Sequence, residues 1–318
     1  MQSTFARFSW GVLAYNLAVI VWGAFVRATG SGAGCGAHWP MCNGEVLPRD
    51  PSLETMIELT HRATSGLALI LVVLQLVWAL RLFPKGHRTR SLAIATTVLM
   101  CLEALVGAGI VLLELVADDR STARAGWIAV HLVNTFLLVA SLALTPWSVT
   151  HTERAPSGRG GLTGALSIGA ISLLTIGVAG AITALGDTLF PAESLASGVA
   201  ADLSPTAHFL VRLRVIHPVL AAVGGVYLLG LAGFLAATRK DGAHGRETRT
   251  LAIAVASFVV LELVAGLVNL ALLAPVWMQL VHLVVADLLW IAFVLMSDAA
   301  SHTSARAAEV LGTAEVPR

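Results

Sequence analysis

The sequence predicts an all-α integral membrane protein whose eight transmembrane helices form two tandem, pseudo-symmetric four-helix bundles. The chain has 318 residues, of which 57% are hydrophobic and 12% charged. Its mean hydropathy is +0.82, which is outside the usual range of soluble domains. Eight apolar runs are long enough to cross a bilayer as helices. Polar residues recur at matching places in the first four and last four runs, which indicates an internal repeat.

The predicted spans set the topology of the chain. Because their number is even, both termini lie on one side of the membrane. The loops after the even-numbered spans are basic, so the positive-inside rule places these loops and both termini in the cytoplasm. The first run has no A-x-A cleavage site, and we interpret it as a retained helix. The predicted spans are residues 8–26, 57–82, 91–115, 126–147, 162–185, 206–237, 250–273 and 278–297.

The loop after span 1 is long, rich in glycine and contains Cys35 and Cys42. On the outer, oxidising side of the membrane a disulfide is the leading interpretation. A metal site would need two more ligands, and only His38 is near. The spacing leaves open whether the disulfide is a structural staple or is redox-active.

Span 2 begins with ionisable residues, including Glu58, His61 and Arg62. Such residues in a membrane span usually face a bundle interior or a water-filled site, so they are candidates for function. One interpretation is structural, with Thr55 as N-cap and Glu58 at N3 of a capping box. The other is functional, because Glu58 and His61 are three residues apart and share a helix face. We favour the functional interpretation, and the two can coexist.

The second half of the chain repeats the first. His61 recurs as His217 and His131 recurs as His282, at offsets of 156 and 151 residues. Each unit has an even number of spans, so both copies have the same orientation in the membrane. Other repeated pairs are Gly23 with Gly180, Glu103 with Glu262, and Gly107 with Gly266.

This repeat divides the chain into four regions. Between the two bundles lies a cytoplasmic linker rich in Gly, Ser, Pro and Arg, which is typical of a boundary. A polar cytoplasmic tail follows the second bundle, and we expect it to be frayed. The regions are the N-terminal bundle with its outer cysteine loop at 1–150, the linker at 151–161, the C-terminal bundle at 162–298 and the tail at 299–318.

Span 6 differs from span 2 in its chemistry. Arg214 stands three residues before the histidine, where the first half has Glu58. Ser204 and Pro205 are a suitable N-cap and first helical residue. Pro218 falls inside the predicted helix and leaves the Arg214 carbonyl unpaired, so we expect a kink beside the histidine.

Four histidines form the main constellation of the sequence. In each unit one comes from the second helix and one from the fourth, at equal depth, so that two imidazoles can face each other across a bundle core. That is the arrangement of bis-imidazole haem ligation. The alternative, that each histidine only bonds polar neighbours, does not explain why both copies keep the same two positions. The histidines are His61, His131, His217 and His282.

Three arginines near the outer edge support this interpretation. Arg62, Arg212 and Arg214 run against the positive-inside bias, and each lies within five residues of a proposed ligand. Haem propionates would supply the complementary negative charge. The alternative is that these arginines bind lipid headgroups. For Arg212 taken alone the two interpretations are equally good, whereas for all three arginines together propionate binding is favoured.

Several motifs together resemble the haem A synthase family of membrane oxidoreductases. They are the R-A-T-G-S-G run at 27–32, the W-P-M-C-N-G run at 39–44, the E-L-T-H-R run at 58–62 and the Q-L-V-H run at 279–282. The resemblance covers all eight spans. It implies oxidation of the C8 methyl of haem O to a formyl group, which gives haem A for cytochrome oxidase.

The resemblance also implies a role for each site residue. His61 and His131 would bind the substrate, haem O. His217 and His282 would bind the iron of a retained cofactor, haem B. Glu58 would be catalytic, since a carboxylate near the porphyrin edge can take protons or stabilise developing positive charge.

The same resemblance implies haem O synthase and cytochrome oxidase assembly factors as partners. We expect the protein in the cell membrane, surrounded by the lipid bilayer, with its haem sites near the outer face. The net charge of +1 at pH 7 provides no concentrated basic face, so no nucleic acid is expected as a partner. A homo-oligomer is left open.

The chain departs from the family pattern at Glu103 and Glu262, where glutamine is usual, and at Pro218, where an arginine often follows the third histidine. Two other functions were weighed. A di-haem b-type cytochrome that only transfers electrons would place its haems near opposite faces, whereas all four histidines lie near one face. A haem carrier or assembly protein without turnover leaves Glu58 and the cysteine pair unexplained.

Overall fold

The computed structural model describes residues 1–151, 154–156, 160–239 and 242–304, almost all of them helical. Eight of its helical segments are long and apolar enough to cross a membrane. This confirms the predicted fold class, and the chain is a multi-pass membrane protein. The helices are α1 (Gln2–Ala28), α2 (Leu53–Leu82), α3 (Arg88–Leu112), α4 (Thr122–Thr150), α5 (Gly160–Leu189), α6 (Leu195–Asp202), α7 (Phe209–Arg212), α8 (Ile216–Thr238), α9 (Gly242–Ala271) and α10 (Val276–Ser301).

The start of α2 corrects a predicted helix cap. Ser52, not Thr55, is the N-cap, and its side chain accepts a hydrogen bond from the Thr55 backbone N–H. The Thr55 hydroxyl instead donates to the carbonyl of Gly34 in the cysteine loop, at 2.7 Å. Glu58 therefore lies well inside the helix, where it cannot cap the first turn.

The sixth span also begins differently from the prediction. Ser204 and Pro205 lie in the connection between α6 and α7, and His208 is the N-cap of α7. The His208 ring accepts a hydrogen bond from the Leu210 N–H and stacks on Phe190. These two contacts hold the helix start four residues beyond Ser204.

The predicted disturbance near Pro218 takes the form of a short 3₁₀ turn. This turn, Leu213–Val215, joins α7 to α8. Pro218 is then the third residue of α8, a position where a missing N–H costs little because the first turn has no intrahelical acceptor for it. The change of helix type absorbs the constraint without a proline in a helix interior.

The eight long segments pack as two groups of four. In the first half α1, α2, α3 and α4 contact one another in a ring, and α5, α8, α9 and α10 do the same in the second half. The halves meet where α4 packs against α5 and α10. There Trp290 donates from its indole N–H to the carbonyl of Phe136 at 2.7 Å. This packing is consistent with the two tandem four-helix units predicted from the repeat.

The linker and the tail contact each other through two short strands, which the all-α prediction did not include. Strand β1 (Arg154–Pro156) pairs antiparallel with β2 (His302–Ser304). Helix α10 continues to Ser301, into the segment predicted as tail. The rest of the predicted tail, residues 305–318, lies outside the described residues.

Candidate functional site

In each bundle the histidine of the second transmembrane helix packs against a glycine of the first. His61 of α2 lies against Gly23 of α1, and His217 of α8 lies against Gly180 of α5. A Cβ atom at Gly23 would stand 2.8 Å from His61 Cε1, and one at Gly180 would stand 2.9 Å from His217 Cε1. At contacts this short a side chain at either glycine would have to displace the imidazole. The repeat seen in the sequence is therefore a repeat of a packing arrangement, in which glycine makes room for an imidazole.

The histidine of the fourth transmembrane helix of each bundle packs less tightly, against a glycine of the third. These helices are α4 and α3 in the first bundle and α10 and α9 in the second. A Cβ atom at Gly266 would be 3.3 Å from His282 Cε1, whereas one at Gly107 would be 3.9 Å from His131 Cε1. The second distance is ordinary van der Waals contact. Gly107 is thus the one glycine of the four with room for a methyl group.

The second bundle brings its two histidines close together, with their ring planes nearly perpendicular. The ring centroids of His217 and His282 are 6.3 Å apart, with the ring planes at 85°. Since a metal–imidazole bond is about 2 Å long and a ring centroid lies about 1 Å behind its nitrogen, two imidazoles on opposite sides of one metal have centroids about 6 Å apart. The pair therefore fits bis-histidine ligation of a haem iron. In the first bundle the matching histidines are His61 and His131, which lie against Gly23 and Gly107.

The second ring nitrogens of these histidines show how the imidazoles are oriented. His217 Nδ1 is 3.2 Å from the carbonyl of Ile176, which favours the tautomer with the proton on Nδ1 and leaves Nε2 for a metal. His131 Nδ1 lies 3.5 Å from the Glu103 carboxylate, and His282 Nδ1 lies 3.3 Å from that of Glu262. A carboxylate behind a ligating imidazole is a common second partner in metal sites.

Glu103 and Glu262 differ in what surrounds them. Asn134 donates to Glu103 at 2.5 Å, and the hydroxyl of Thr135 donates to its other oxygen. At the matching positions of α10 the chain has valine and alanine, and Glu262 Oε2 is buried without a hydrogen-bond partner among the described residues. The sequence had left both glutamates without a role, and only their depth opposite a histidine could have indicated one.

Glu58 is buried, with 3% of its surface exposed, and both carboxylate oxygens are occupied. Oε2 accepts a hydrogen bond from the Cys35 backbone N–H at 2.8 Å, and Oε1 accepts one from Arg62 Nη2 at 2.6 Å. The carboxylate thus joins α2 to the cysteine loop. It lies one helical turn from His61, on the side toward the cysteine loop.

The cysteine loop is closed by the predicted disulfide between Cys35 and Cys42, and Cys101 is free. Among the described residues no group of three or more His, Cys, Asp or Glu side chains could hold a metal ion, so the metal alternative has no support there. Arg62 Nη1 donates to the carbonyls of His38 and Met41, at 2.6 Å each. Arg62 therefore donates hydrogen bonds both to Glu58 and to this loop.

In the second half Arg214 performs a similar task. Its guanidinium donates to the carbonyls of Gly186 and Phe190, at 3.2 and 2.7 Å. Its Nε also lies 3.3 Å from the Asp187 carboxylate. Arg212 is exposed, and of the three arginines it alone has no contact of this kind among the described residues.

Comparison with known proteins gives the family. The sequence model of the COX15-CtaA family, described as cytochrome oxidase assembly protein, matches residues 6–294. The chain belongs to the COX15-CtaA family. Two proteins of this similarity group, from two strains of Thermus thermophilus, are named protoheme IX farnesyltransferase. Each is 48% identical over 309 residues, which is 97% of this chain and 50% of the relative.

Relatives named heme A synthase are similar over a shorter stretch. Those from Alkalihalophilus pseudofirmus and Bacillus mycoides are 42% and 47% identical over 95 residues, which is 30% of this chain. The stretch is 32% and 30% of the two relatives. This member of the COX15-CtaA family thus spans about half the length of the Thermus relatives and matches a third of these two.

Arg27 is a further residue of this COX15-CtaA chain whose role the sequence did not reveal. Its guanidinium donates to the carbonyl of Ala184 at 2.8 Å, to the hydroxyl of Thr188 at 3.1 Å and to Gln279 Oε1 at 3.0 Å. All three acceptors belong to the second half of the chain. Arg27 therefore ties the two halves together at the end that carries the cysteine loop, a contact that no pattern within one half could indicate.

Proposed function

We propose that this member of the COX15-CtaA family is a haem A synthase, which oxidises the C8 methyl of haem O to a formyl group and so supplies haem A for cytochrome oxidase. One observation carries the proposal: both halves of the repeat contain a pair of histidines, and the position of the buried Glu58 carboxylate in the first half is occupied by Arg214 in the second. The names of the shorter relatives support the same activity.

In this proposal the two bundles have different tasks. His217 and His282 hold the iron of a resident haem B, which supplies a one-electron centre when bound. His61 and His131 hold haem O as substrate. The ring separation of 6.3 Å in the second bundle and the glycines under the imidazoles support this assignment.

Glu58 is the catalytic residue of the proposal. A carboxylate can take a proton from the reacting methyl position or stabilise positive charge that develops there. The equivalent residue of the second bundle, Arg214, is a permanent cation and cannot accept a proton. This difference supports the first bundle as the place where oxidation occurs.

Arg62, Arg212 and Arg214 remain the proposed contacts of the haem propionates. Arg212 is exposed, so it can meet a propionate without breaking another bond. Arg62 and Arg214 would have to exchange loop carbonyls for a propionate, because their donors already have partners.

The proposed setting is the cell membrane, with cytoplasmic termini and with the haem sites near the outer face. The substrate would come from a haem O synthase, and the product would pass to cytochrome oxidase assembly factors. Relatives named for farnesyl transfer to protohaem IX contain a stretch similar to nearly all of this chain, which supports a partner that makes farnesylated haem.

The decisive experiment supplies purified protein with haem O and analyses the extracted pigment. A haem A synthase accumulates haem A. A b-type cytochrome or a haem carrier returns haem O unchanged, and that result would reject the proposal.

The haem B assignment has its own test. His217→Ala or His282→Ala, in protein made without haem O, is expected to lose a low-spin bis-histidine spectrum, because one axial ligand is missing. A full spectrum in both variants would show that the second bundle does not hold the haem.

A further inference from the structure

The interior of the first bundle contains polar residues that the proposed haem site does not use. On α1, Ser9 and Asn16 precede Gly23 at intervals of seven residues, and on α2 Gln75 follows His61 by fourteen. Residues seven apart return to nearly the same helix face. Because Gly23 and His61 touch each other, both rows face the inside of the bundle.

The other two helices of this bundle carry matching rows. On α3, Thr89, Thr96 and Glu103 follow one another at intervals of seven, and on α4 Thr145 follows His131 by fourteen. Contacts fix their register, since Thr96 Oγ1 is 3.5 Å from Thr145 Oγ1 and Glu103 Oε1 is 3.5 Å from His131 Nδ1.

One polar layer results, to which all four helices contribute. Fourteen residues of helix correspond to about 21 Å, so the layer lies deep in the bundle, on the side away from the histidines. Ser141 completes it, with its hydroxyl 3.1 Å from Thr96 Oγ1. We call Ser9, Gln75, Thr96, Ser141 and Thr145 the polar layer; Ser141 is 6% exposed and the other four are 0% exposed.

Part of the polar layer lacks partners. Gln75 Nε2, Gln75 Oε1 and Ser9 Oγ have no hydrogen-bond partner among the described residues. Burying such groups without hydrogen bonds is strongly unfavourable. A buried water typically makes about three hydrogen bonds to otherwise unpaired groups, and three such atoms belong to this layer.

The second bundle shows that the fold does not need this layer. At the matching positions it has five buried, apolar residues, which are Leu166, Leu231, Val255, Ala292 and Met296. A dry, apolar layer therefore stabilises the same architecture. The polar layer is a property of the bundle with the carboxylate Glu58 and not of the repeat.

Polar groups continue from this layer in both directions. Toward the end of the bundle where α3 begins, Thr89 Oγ1 is 2.7 Å from Ser148 Oγ. Toward the histidines, Asn16 lies half-way along α1, and Glu103 follows with its donor Asn134. We call this sequence of side chains, from Thr89 through the polar layer to Glu103, the polar column.

We propose that the polar column holds water and conducts protons between the end of the first bundle where α3 begins and the layer of Glu103 next to the substrate haem site. The proposal rests on the proposed function, since the oxidation of a methyl group moves protons at that site. Each transfer breaks one O–H bond and forms another on the next oxygen, so no electrons and no further reactant are needed.

The first experiment tests whether the layer contains water. Radiolysis of water inside a protein oxidises nearby side chains, and methionine reacts readily. Met100 lies one helical turn from Thr96 and is 5% exposed, whereas Met296 occupies the equivalent of the layer in the second bundle and is 0% exposed. In wild-type protein irradiated in ¹⁸O water, we expect Met100 to incorporate the label severalfold faster than Met296. In the double variant Gln75→Leu, Ser9→Ala, we expect the two methionines to be labelled at similar rates.

The second experiment tests proton conduction with variants that copy the second bundle. Gln75→Leu and Thr96→Val are expected to bind haem with an unchanged spectrum but to form haem A severalfold more slowly, with a larger slowing in heavy water than the wild type. Thr97→Val is the matched control, because Thr97 lies beside Thr96 on α3 and its hydroxyl donates to the Ala93 carbonyl of its own helix. It is expected to form haem A at the wild-type rate.

Each outcome decides a separate point. Equal labelling of Met100 and Met296 would overturn the hydrated layer. Labelling of Met100 together with wild-type turnover in Gln75→Leu and Thr96→Val would overturn proton conduction. If wild-type protein does not convert haem O, the proposed function fails, and the role of the column in it fails too, while the labelling still decides the hydration of the layer independently.

Discussion

At the scale of single residues, Glu58 has a structural role in addition to its proposed catalytic one. It joins α2 to the cysteine loop through the Cys35 N–H and Arg62, and it is also the carboxylate nearest in sequence to His61. Its position inside the helix removes the capping explanation, since Ser52 performs that role. What remains is a carboxylate whose charge is balanced by one arginine.

Replacing Glu58 by glutamine separates its charge from its shape. Glutamine can still accept a hydrogen bond from the Cys35 N–H, but the guanidinium of Arg62 loses its anionic partner at a cost of roughly 1–3 kcal/mol. We expect Glu58→Gln to fold with lower thermal stability, to bind haem, and to stop at haem O or at the hydroxymethyl stage. Pigment analysis and the haem spectrum measure this.

Glu54→Gln is the control for this variant, because Glu54 is exposed in the first turn of the same helix. It is expected to make haem A as the wild type does. A normal yield of haem A from a well-folded Glu58→Gln protein would refute the catalytic role.

The two glutamates behind the fourth-helix histidines also make a matched pair. Glu103→Leu removes an acceptor from Asn134 and from Thr135, which keep only the carbonyls of Leu99 and His131, at roughly 0.5–1.5 kcal/mol for each lost hydrogen bond. Glu262→Leu removes a carboxylate whose Oε2 has no hydrogen-bond partner among the described residues. We therefore expect a clear loss of thermal stability for Glu103→Leu and little or none for Glu262→Leu. Equal losses in unfolding measurements would show that Asn134 and Thr135 do not depend on Glu103.

At the scale of helices, the contact of glycine with histidine gives a graded prediction. A methyl group at Gly180 would overlap His217, but one at Gly107 would only touch His131. Gly180→Ala is expected to displace the imidazole and to lower the haem content of the purified protein severalfold. Gly107→Ala is expected to keep it, and similar haem contents for the two variants would contradict the packing argument.

The outer loop gives a prediction that can be measured without haem. The disulfide occupies Cys35 and Cys42, so only Cys101 is expected to react when thiols are counted under denaturing, non-reducing conditions. After reduction the count is expected to be three. Three reactive thiols before reduction would show that the bond is absent in isolated protein.

The sequence predicted the helices better than their ends, for physical reasons. Long apolar runs identify spans because the bilayer demands them, and all eight appear in the structure. The ends depend on tertiary contacts. The Thr55 hydroxyl donates to the Gly34 carbonyl instead of capping α2. His208, whose ring stacks on Phe190, is the N-cap where Ser204 was predicted.

The candidate site was predictable to a similar degree. Histidine positions follow from the repeat, and the disulfide follows from the loop on the outer side. The partners of Glu58, Glu103 and Arg62 could not be predicted, because each is chosen by how a loop or a neighbouring helix packs. The polar layer could not be predicted either, because the sequence does not show that Ser9 and Gln75 lie at the same depth in the bundle.

At the scale of the whole molecule, the two halves share one core and are tied at both ends. At the end where α3 begins, Asp298 accepts hydrogen bonds from Trp147, at 2.8 Å, and from Arg88. At the end with the cysteine loop, Arg27 joins the two halves. Arg27→Met keeps most of the apolar stem but removes every donor, and we expect it to lower the thermal stability of the protein more than Arg7→Met, since Arg7 is exposed on the same helix. An equal effect would show that the tie made by Arg27 is dispensable.

The tie made by Arg27 also has a consequence for biogenesis. Its acceptors on α5 are synthesised about half a chain later, and Gln279 is separated from it by 252 residues. While the ribosome is still producing the second half, the guanidinium stands at the edge of the hydrocarbon without these acceptors, a costly condition for a charge. The first helix therefore reaches its final surroundings only when α10 has been inserted, and this end of the first bundle matures after the helices of both halves have been made.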